Sequence, residues 1–209
     1  DITWGLILNL MRDIPAQQAA LRAGQWQTSV GWGTEGRTLG IIGLGKLGAR
    51  AAKVGLALGM KVIAWSQNLT DERAAEVGVT RVDKATLLST ADVVTLHLIL
   101  SDRSRGIIGA ADLAQMKPTA FIVNTSRGPL IDQPALIAAL KAGTIAGAGI
   151  DVFDTEPLPP GHPILSAPNT VLTPHLGYVT QQNYRAYYEG TVEAIAAFNA
   201  GAPLRVIAP

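Results

Sequence analysis

Apolar positions along this chain follow two alternating rhythms. Thr38-Leu39-Gly40-Ile41-Ile42 is a short continuous apolar run of the kind that forms a buried strand. Similar runs recur at residues 61–65, 92–98, 120–124 and 145–152, with a shorter one at Val171-Leu172. Between them, residues 46–58, 70–77, 83–89, 109–116 and 132–142 read as helices, with Asp83 and Asp132 as caps. Apolar strands separated by helices predict a parallel sheet covered on both faces. The expected fold is α/β, a doubly wound parallel sheet of Rossmann-like type.

The two ends depart from this alternation. Ile7, Leu10, Met11 and Ile14 recur at helical spacing until Pro15 interrupts them. Residues 15–23 predict a second short helix, with Pro15 near its start and Gly24 just past its end. The opening Asp1-Ile2-Thr3-Trp4 reads as a chain already inside a helix, so a fragment is expected, and it shows no signal-type pattern. Near the other end Thr180 caps a long helix, with Tyr184, Tyr187, Tyr188, Thr191, Ile195 and Phe198 on one stripe. Gly201 and Pro203 stop that helix, and Leu204-Arg205-Val206-Ile207 is expected to form a strand.

Composition narrows the functions. At 209 residues and 48% hydrophobic, the chain supports one good-sized domain with a small appendage. Its 17 basic and 16 acidic residues leave a net charge of +1, with no basic run, so nucleic acid is not an expected partner. No apolar run reaches the ~18 residues of a membrane span, so no membrane is expected either. Without cysteine there is no disulfide frame, thiol nucleophile or thiolate metal site, and no metal is expected. A reducing cytoplasm fits that composition.

Candidate chemistry sits where apolar runs end. Gly43-Leu44-Gly45-Lys46-Leu47-Gly48 follows the first run and opens a helix. Glycines often mark turns alone, but in this setting each has a task. Gly43 permits a tight turn, Gly45 lets backbone approach a pyrophosphate, and Gly48 allows close helix–strand packing. The helix N-terminus beyond favours negative charge. An acid that would bind the ribose of NAD belongs roughly 20 residues on. Trp65-Ser66-Gln67-Asn68 stands there instead, so NAD and NADP both remain open, with Lys46 and Arg73 within approach.

Arg127 follows the run that ends at Asn124, in a tight Ser-Arg-Gly-Pro turn. A surface arginine neutralising a helix end and a clamp for a substrate carboxylate are equal readings of that position. Glu156 and His175 each follow later strand-like runs, which puts both at the same sheet edge. His97 and His162 read as structural, although His97 ends a strand and can touch a cofactor. His175 differs because a cation and a carboxylate should converge on it, which prepares a proton donor for a carbonyl oxygen.

Four motifs in this order resemble the D-isomer-specific 2-hydroxyacid dehydrogenase family, especially its phosphoglycerate dehydrogenase-like members. They are the glycine loop, Asn124-Thr125-Ser126-Arg127-Gly128, Asp151-Val152-Phe153-Asp154-Thr155-Glu156-Pro157, and Thr173-Pro174-His175-Leu176-Gly177. The resemblance implies an oxidoreductase that moves a hydride between NAD or NADP and a 2-hydroxy acid/2-oxo acid pair. It makes Arg127, Glu156 and His175 catalytic: Arg127 binds the acid, Glu156 pairs with His175, and His175 carries the proton. It assigns cofactor contacts to Gly43, Gly45, Lys46, Leu47, Gly48, Ser66, Gln67, His97, Thr125, Ser126, Asp151 and Gly177. It further implies a homodimer, and a cofactor domain over residues 1–179. Residues 180–209 are then the return helix and strand of a partial substrate domain whose N-terminal portion lies outside this sequence.

Two departures from the family pattern stand out. The chain reads His97-Leu98-Ile99-Leu100 where His-x-Pro-Leu is common, and Ser66 stands where an acid is usual. Glu156 argues against the formate dehydrogenase branch, which carries glutamine there. The rival from another class is a non-catalytic, dinucleotide-sensing regulatory protein on the same fold.

Overall fold

The computed structural model describes residues 1–207. The chain forms two compact units, Asp1–Pro174 and a shorter one that starts at His175. The first holds seven parallel strands in the order β3-β2-β1-β4-β5-β6-β7. They are β1 (Thr38–Ile42), β2 (Lys61–Trp65), β3 (Thr80–Arg81), β4 (Val93–Leu96), β5 (Phe121–Asn124), β6 (Gly147–Ile150) and β7 (Thr170–Leu172). The order reverses direction between β1 and β4. In open α/β sheets that reversal opens a crevice at the carboxyl ends of the strands.

The helices of this unit are α1 (Ile2–Arg12), α2 (Ile14–Arg22), α3 (Lys46–Ala57), α4 (Asp71–Ala75), α5 (Lys84–Thr90), α6 (Ala110–Leu113) and α7 (Gln133–Ala142). Every residue of β1, β4 and β6 is buried, so both faces of the sheet are covered. Alternation along the strands sorts side chains into two cores. Ile42, Val94, Leu96 and Ile122 join Leu87, Leu113, Leu136 and Leu140 of α5, α6 and α7. Leu39, Ile41 and Val123 join Leu6, Ile7 and Met11 of α1 and Ala52 of α3. A doubly wound sheet is what the apolar rhythm requires.

Local chemistry sets the helix ends. Asp83 and Asp132 accept from the backbone N–H of Thr86 and Ala135, and Thr70 does the same for Arg73. α1 breaks at Asp13, which adopts a left-handed conformation (φ 52°) just before Pro15 lies in the first turn of α2. At the amino edge of the sheet, Asp92 accepts from Thr38 N (2.8 Å) and Lys117 Nζ (3.0 Å), with Arg37 at 3.8 Å. Burial opposes its ionisation. The N–H and the two cations outweigh burial and hold the carboxyl below its ordinary range. No helix among the described residues is long and apolar enough to cross a membrane.

The second unit contains α8 (Gln181–Asn199), capped by Thr180, whose side chain accepts from Asn183 N. Tyr187, Tyr188, Ile195 and Phe198 on its stripe are exposed. The strand expected at 204–207 does not form. Arg205 is left-handed (φ 55°) and folds back on α8, with Nη2 2.6 Å from Glu193 Oε2 and Nη1 3.2 Å from Gly190 O. An apolar run becomes a strand only where another strand offers ladder hydrogen bonds, and none lies beside it among the described residues. β3 is the converse: two exposed residues pair with Ile63 and Ala64 at the sheet edge, with no apolar run to announce them.

Candidate active site

The glycine loop lies at the switch point. Gly43 N donates to Trp65 O (2.8 Å), and its φ of +100° suits glycine alone. A Cβ there would stand 2.7 Å from the His97 carbonyl oxygen, so the turn is squeezed between the ends of β2 and β4. A Cβ on Gly48 would collide with the Gly43 carbonyl, so α3 starts directly against the turn. Gly45 differs, because a Cβ there would meet no protein atom within 4 Å. Its glycine is required by no packing within the protein. It leaves open the space before the α3 N-terminus, which has no side-chain cap. Uncapped N–H groups facing open space fit a pyrophosphate. Lys46 and Leu47 are exposed in that first turn.

Around the loop, Ser66 is half-buried at the end of β2, and its carbonyl accepts from Leu69 N; Gln67 is exposed. Arg73 pairs with Glu76 at 2.6 Å on the exposed surface of α4. His97 follows β4, and its Nε2 lies 3.1 Å from the hydroxyl of buried Thr95. Burial lowers its pKa to about 4, so this imidazole is neutral at physiological pH.

The second half of the edge is built by the 124–128 and 151–156 segments. Asn124 is buried at the end of β5. Its Nδ2 donates to Arg127 O (2.8 Å), and its Oδ1 accepts from Ser126 N (3.0 Å). Ser126 Oγ donates to Leu96 O of β4 (2.8 Å), and the Thr125 hydroxyl lies 2.8 Å from that of Thr3 in α1. Asp151 is fully buried after β6, with its N–H on Asn124 O and the Thr173 hydroxyl 2.5 Å from Oδ1. Gly128 lies against the backbone of Phe153 and Asp154, where a Cβ would not fit. That contact sets the Arg127 turn against the loop carrying Glu156, whose Oε1 accepts from Phe153 N (2.8 Å).

Arg127 is exposed and donates through Nη1 to Ser126 O (2.6 Å); among the described residues it forms no ion pair. A cation at this edge without a carboxylate partner is available to an anionic ligand. His175 and Gly177 belong to the second unit. There His175 is left-handed (φ 54°), packs edge-on against Tyr178 with ring centroids 5.3 Å apart, and precedes the 3₁₀ turn Leu176–Tyr178 that contains Gly177.

The NAD binding domain of the D-isomer specific 2-hydroxyacid dehydrogenases matches residues 4–177 of this chain. The chain belongs to this family. Glyoxylate reductase of Aeropyrum pernix is 38% identical over 210 residues, covering 96% of the chain and 63% of that protein. D-3-phosphoglycerate dehydrogenase of Methanocaldococcus jannaschii is 42% identical over 197 residues, covering 93% of the chain and 37% of that protein. Among solved structures, a phosphoglycerate oxidoreductase from Vibrio cholerae superposes with a TM-score of 0.90 at 40% identity, over 96% of the chain and 66% of that one. The D-lactate dehydrogenase of Aquifex aeolicus, solved with NAD and lactic acid, gives 0.84 at 28%, over 96% and 65%. The chain thus spans 63% or less of the length of these two curated relatives.

Within this NAD-binding domain, the sequence assigned no role to three residues that shape the edge, although two of them stand inside the motifs quoted above. Asn124 could have been noticed as a polar residue closing the apolar run Phe121-Ile122-Val123. Thr3 gives no such signal, since its partner lies far along the chain. Asp154 is the third: burial and the nearby charge of Asp132 raise its pKa, against the opposing influence of His162 and Arg105.

Proposed function

We propose that the complete protein interconverts a 2-hydroxy acid and a 2-oxo acid with NAD(H), in the manner of a phosphoglycerate dehydrogenase or glyoxylate reductase. The observation that carries this reading is Arg127, an exposed cation without an ion-pair partner among the described residues, held at the sheet edge that also carries the glycine loop. Bound nicotinamide supplies or accepts the hydride at C4. The rest falls to the chain. Gly43, Gly45, Lys46, Leu47 and Gly48 hold the pyrophosphate, Ser66 and Gln67 face the adenosine ribose, and Asp151 holds the carboxamide. His97, Thr125, Ser126 and Gly177 complete the cofactor's surroundings.

Arg127 takes the substrate carboxylate and polarises the neighbouring carbonyl, which is electrostatic stabilisation by a placed donor. His175 gives a proton to the carbonyl oxygen in reduction and removes it in oxidation, with Glu156 as its partner. The support for these roles is the order of the motifs and the family match, together with the packing of the Arg127 turn against the Glu156 loop. NADP is the second cofactor in this reading, because Ser66-Gln67-Asn68 directly after β2 contains no carboxylate to repel its 2′-phosphate.

In the same reading residues 1–179 form the cofactor domain, and 180–209 return to a substrate domain. The exposed apolar stripe of α8 supports further polypeptide packing there. Exposed Ile14, Leu21, Trp26 and Val30, on and beyond α2, support a homodimer. A cysteine-free composition agrees with a cytoplasmic location. The test is a panel of 2-oxo acids offered to the complete protein with NADH and with NADPH. Turnover of at least one acid is expected. Tight NADH binding without turnover of any would favour the regulatory alternative.

A further inference from the structure

Asn124 closes β5 with a side chain in a residue only 1% exposed. A buried amide costs free energy unless its ends are hydrogen-bonded. Both ends are satisfied, and both partners lie in the turn that carries Arg127: Nδ2 on Arg127 O at 2.8 Å and Oδ1 on Ser126 N at 3.0 Å. The amide spans the turn from within and sets where the Arg127 backbone stands. Ser126 adds a latch to Leu96 O at 2.8 Å, and Gly128 rests on the Phe153–Asp154 backbone from the other side. The guanidinium itself is exposed and, among the described residues, bonded only to the carbonyl of the residue before it. Its aim therefore comes from the turn and not from packing around the side chain.

We propose that Asn124 is the positioning residue for Arg127, a buried brace that aims the guanidinium at the substrate carboxylate. The inference rests on the reading of Arg127 as the group that binds that carboxylate. The two contacts need a donor and an acceptor on one short planar side chain. Aspartate keeps the acceptor for Ser126 N but turns a second oxygen toward the Arg127 carbonyl. Glutamine carries the amide one methylene too far, and serine reaches only one partner. Each of the three changes leaves a buried backbone group unpaired, and the turn shifts to re-pair it. A displacement of about 1 Å at a group that orients substrate can lower turnover on the order of 100-fold.

A double-mutant cycle in the complete protein tests the brace. Wild type, Asn124→Asp, Arg127→Ala and the double variant are compared with NADH and the 2-oxo acid that turns over fastest. Asn124→Asp alone should lower kcat/KM by about 10- to 100-fold. Added to Arg127→Ala, it should cost less than about twofold, because its target is gone. Calorimetric titration of oxamate, a non-reducible 2-oxo acid analogue, into the NADH complex should repeat the pattern without turnover. NADH affinity should stay within about twofold throughout. Asn124→Ser keeps one contact and serves if the aspartate variant does not fold; its loss should be smaller but equally dependent on Arg127. Equal losses in both Arg127 backgrounds overturn the proposal, as does an NADH affinity that falls in step with kcat/KM. An Arg127→Ala variant with unchanged kcat/KM overturns the reading of Arg127 itself, and the brace with it.

Discussion

Gly45 and Gly48 belong to one short loop, yet alanine at each should fail in a different way. At Gly45 the new methyl meets no protein atom within 4 Å, and the backbone angles (φ −80°, ψ −161°) are open to any L residue. The cost to folding is then that of alanine in place of glycine at a helix N-cap, less than about 1 kcal/mol. For a domain of this size that is a fall in Tm of about 2–4 °C at most. In the proposed reading the methyl does occupy the space through which a pyrophosphate reaches the α3 N–H groups. Two charge-assisted hydrogen bonds are at stake, about 1.5–3 kcal/mol each. The NADH Kd should rise on the order of 100-fold or more.

At Gly48 the methyl runs into the Gly43 carbonyl, a backbone group that cannot rotate away. Overpacking of that kind costs about 3 kcal/mol, or roughly 6–12 °C in Tm. Differential scanning calorimetry and quenching of tryptophan fluorescence by NADH separate the two effects. If Gly45→Ala binds NADH as wild type does, the pyrophosphate does not approach that carbon. If it melts as early as Gly48→Ala, the open space before α3 is filled in solution. Either result refutes the cradle.

Three further outcomes follow from named groups. Ser66→Asp should weaken NADPH binding about tenfold through charge repulsion and spare NADH; a wild type that already excludes NADPH by orders of magnitude would show that Ser66 does not face the ribose. Asp92 has a depressed folded-state pKa, so its stabilisation is present above the unfolded pKa near 4 and lost as pH falls through the folded value. Asn at that position should flatten the acid limb of a urea-midpoint against pH curve, and an unchanged limb would remove Asp92 as its cause. His175→Gln should lower turnover by roughly 10²–10⁴-fold while NADH affinity holds; retained turnover would take the proton relay away from His175.

Much of this protein was legible in its sequence, because the determining chemistry is local. β1 and β4 lie within the apolar runs that announce them, since a fully covered strand needs apolar residues on both sides. Asp83, Asp132 and Thr180 cap helices through a bond to an N–H three residues on, a contact the spacing alone determines. The geometry of the glycine loop was readable for the same reason: the Gly43 turn and the Gly48 packing act within one loop.

What the sequence could not decide depends on partners remote in the chain. Thr80 and Arg81 become a strand because β2 offers an edge, while the more apolar 204–207 pairs with no strand among the described residues and does not. Gly128 is required by the backbone of Phe153, and Thr125 meets Thr3 across 122 residues of sequence. The sequence named Arg127 as a cation at a strand end. The bonds from Asn124 to its turn are local, but only the tertiary structure decided how that turn is held, because the carbonyl of Leu96 and the loop after β6 reach it when the strands lie side by side.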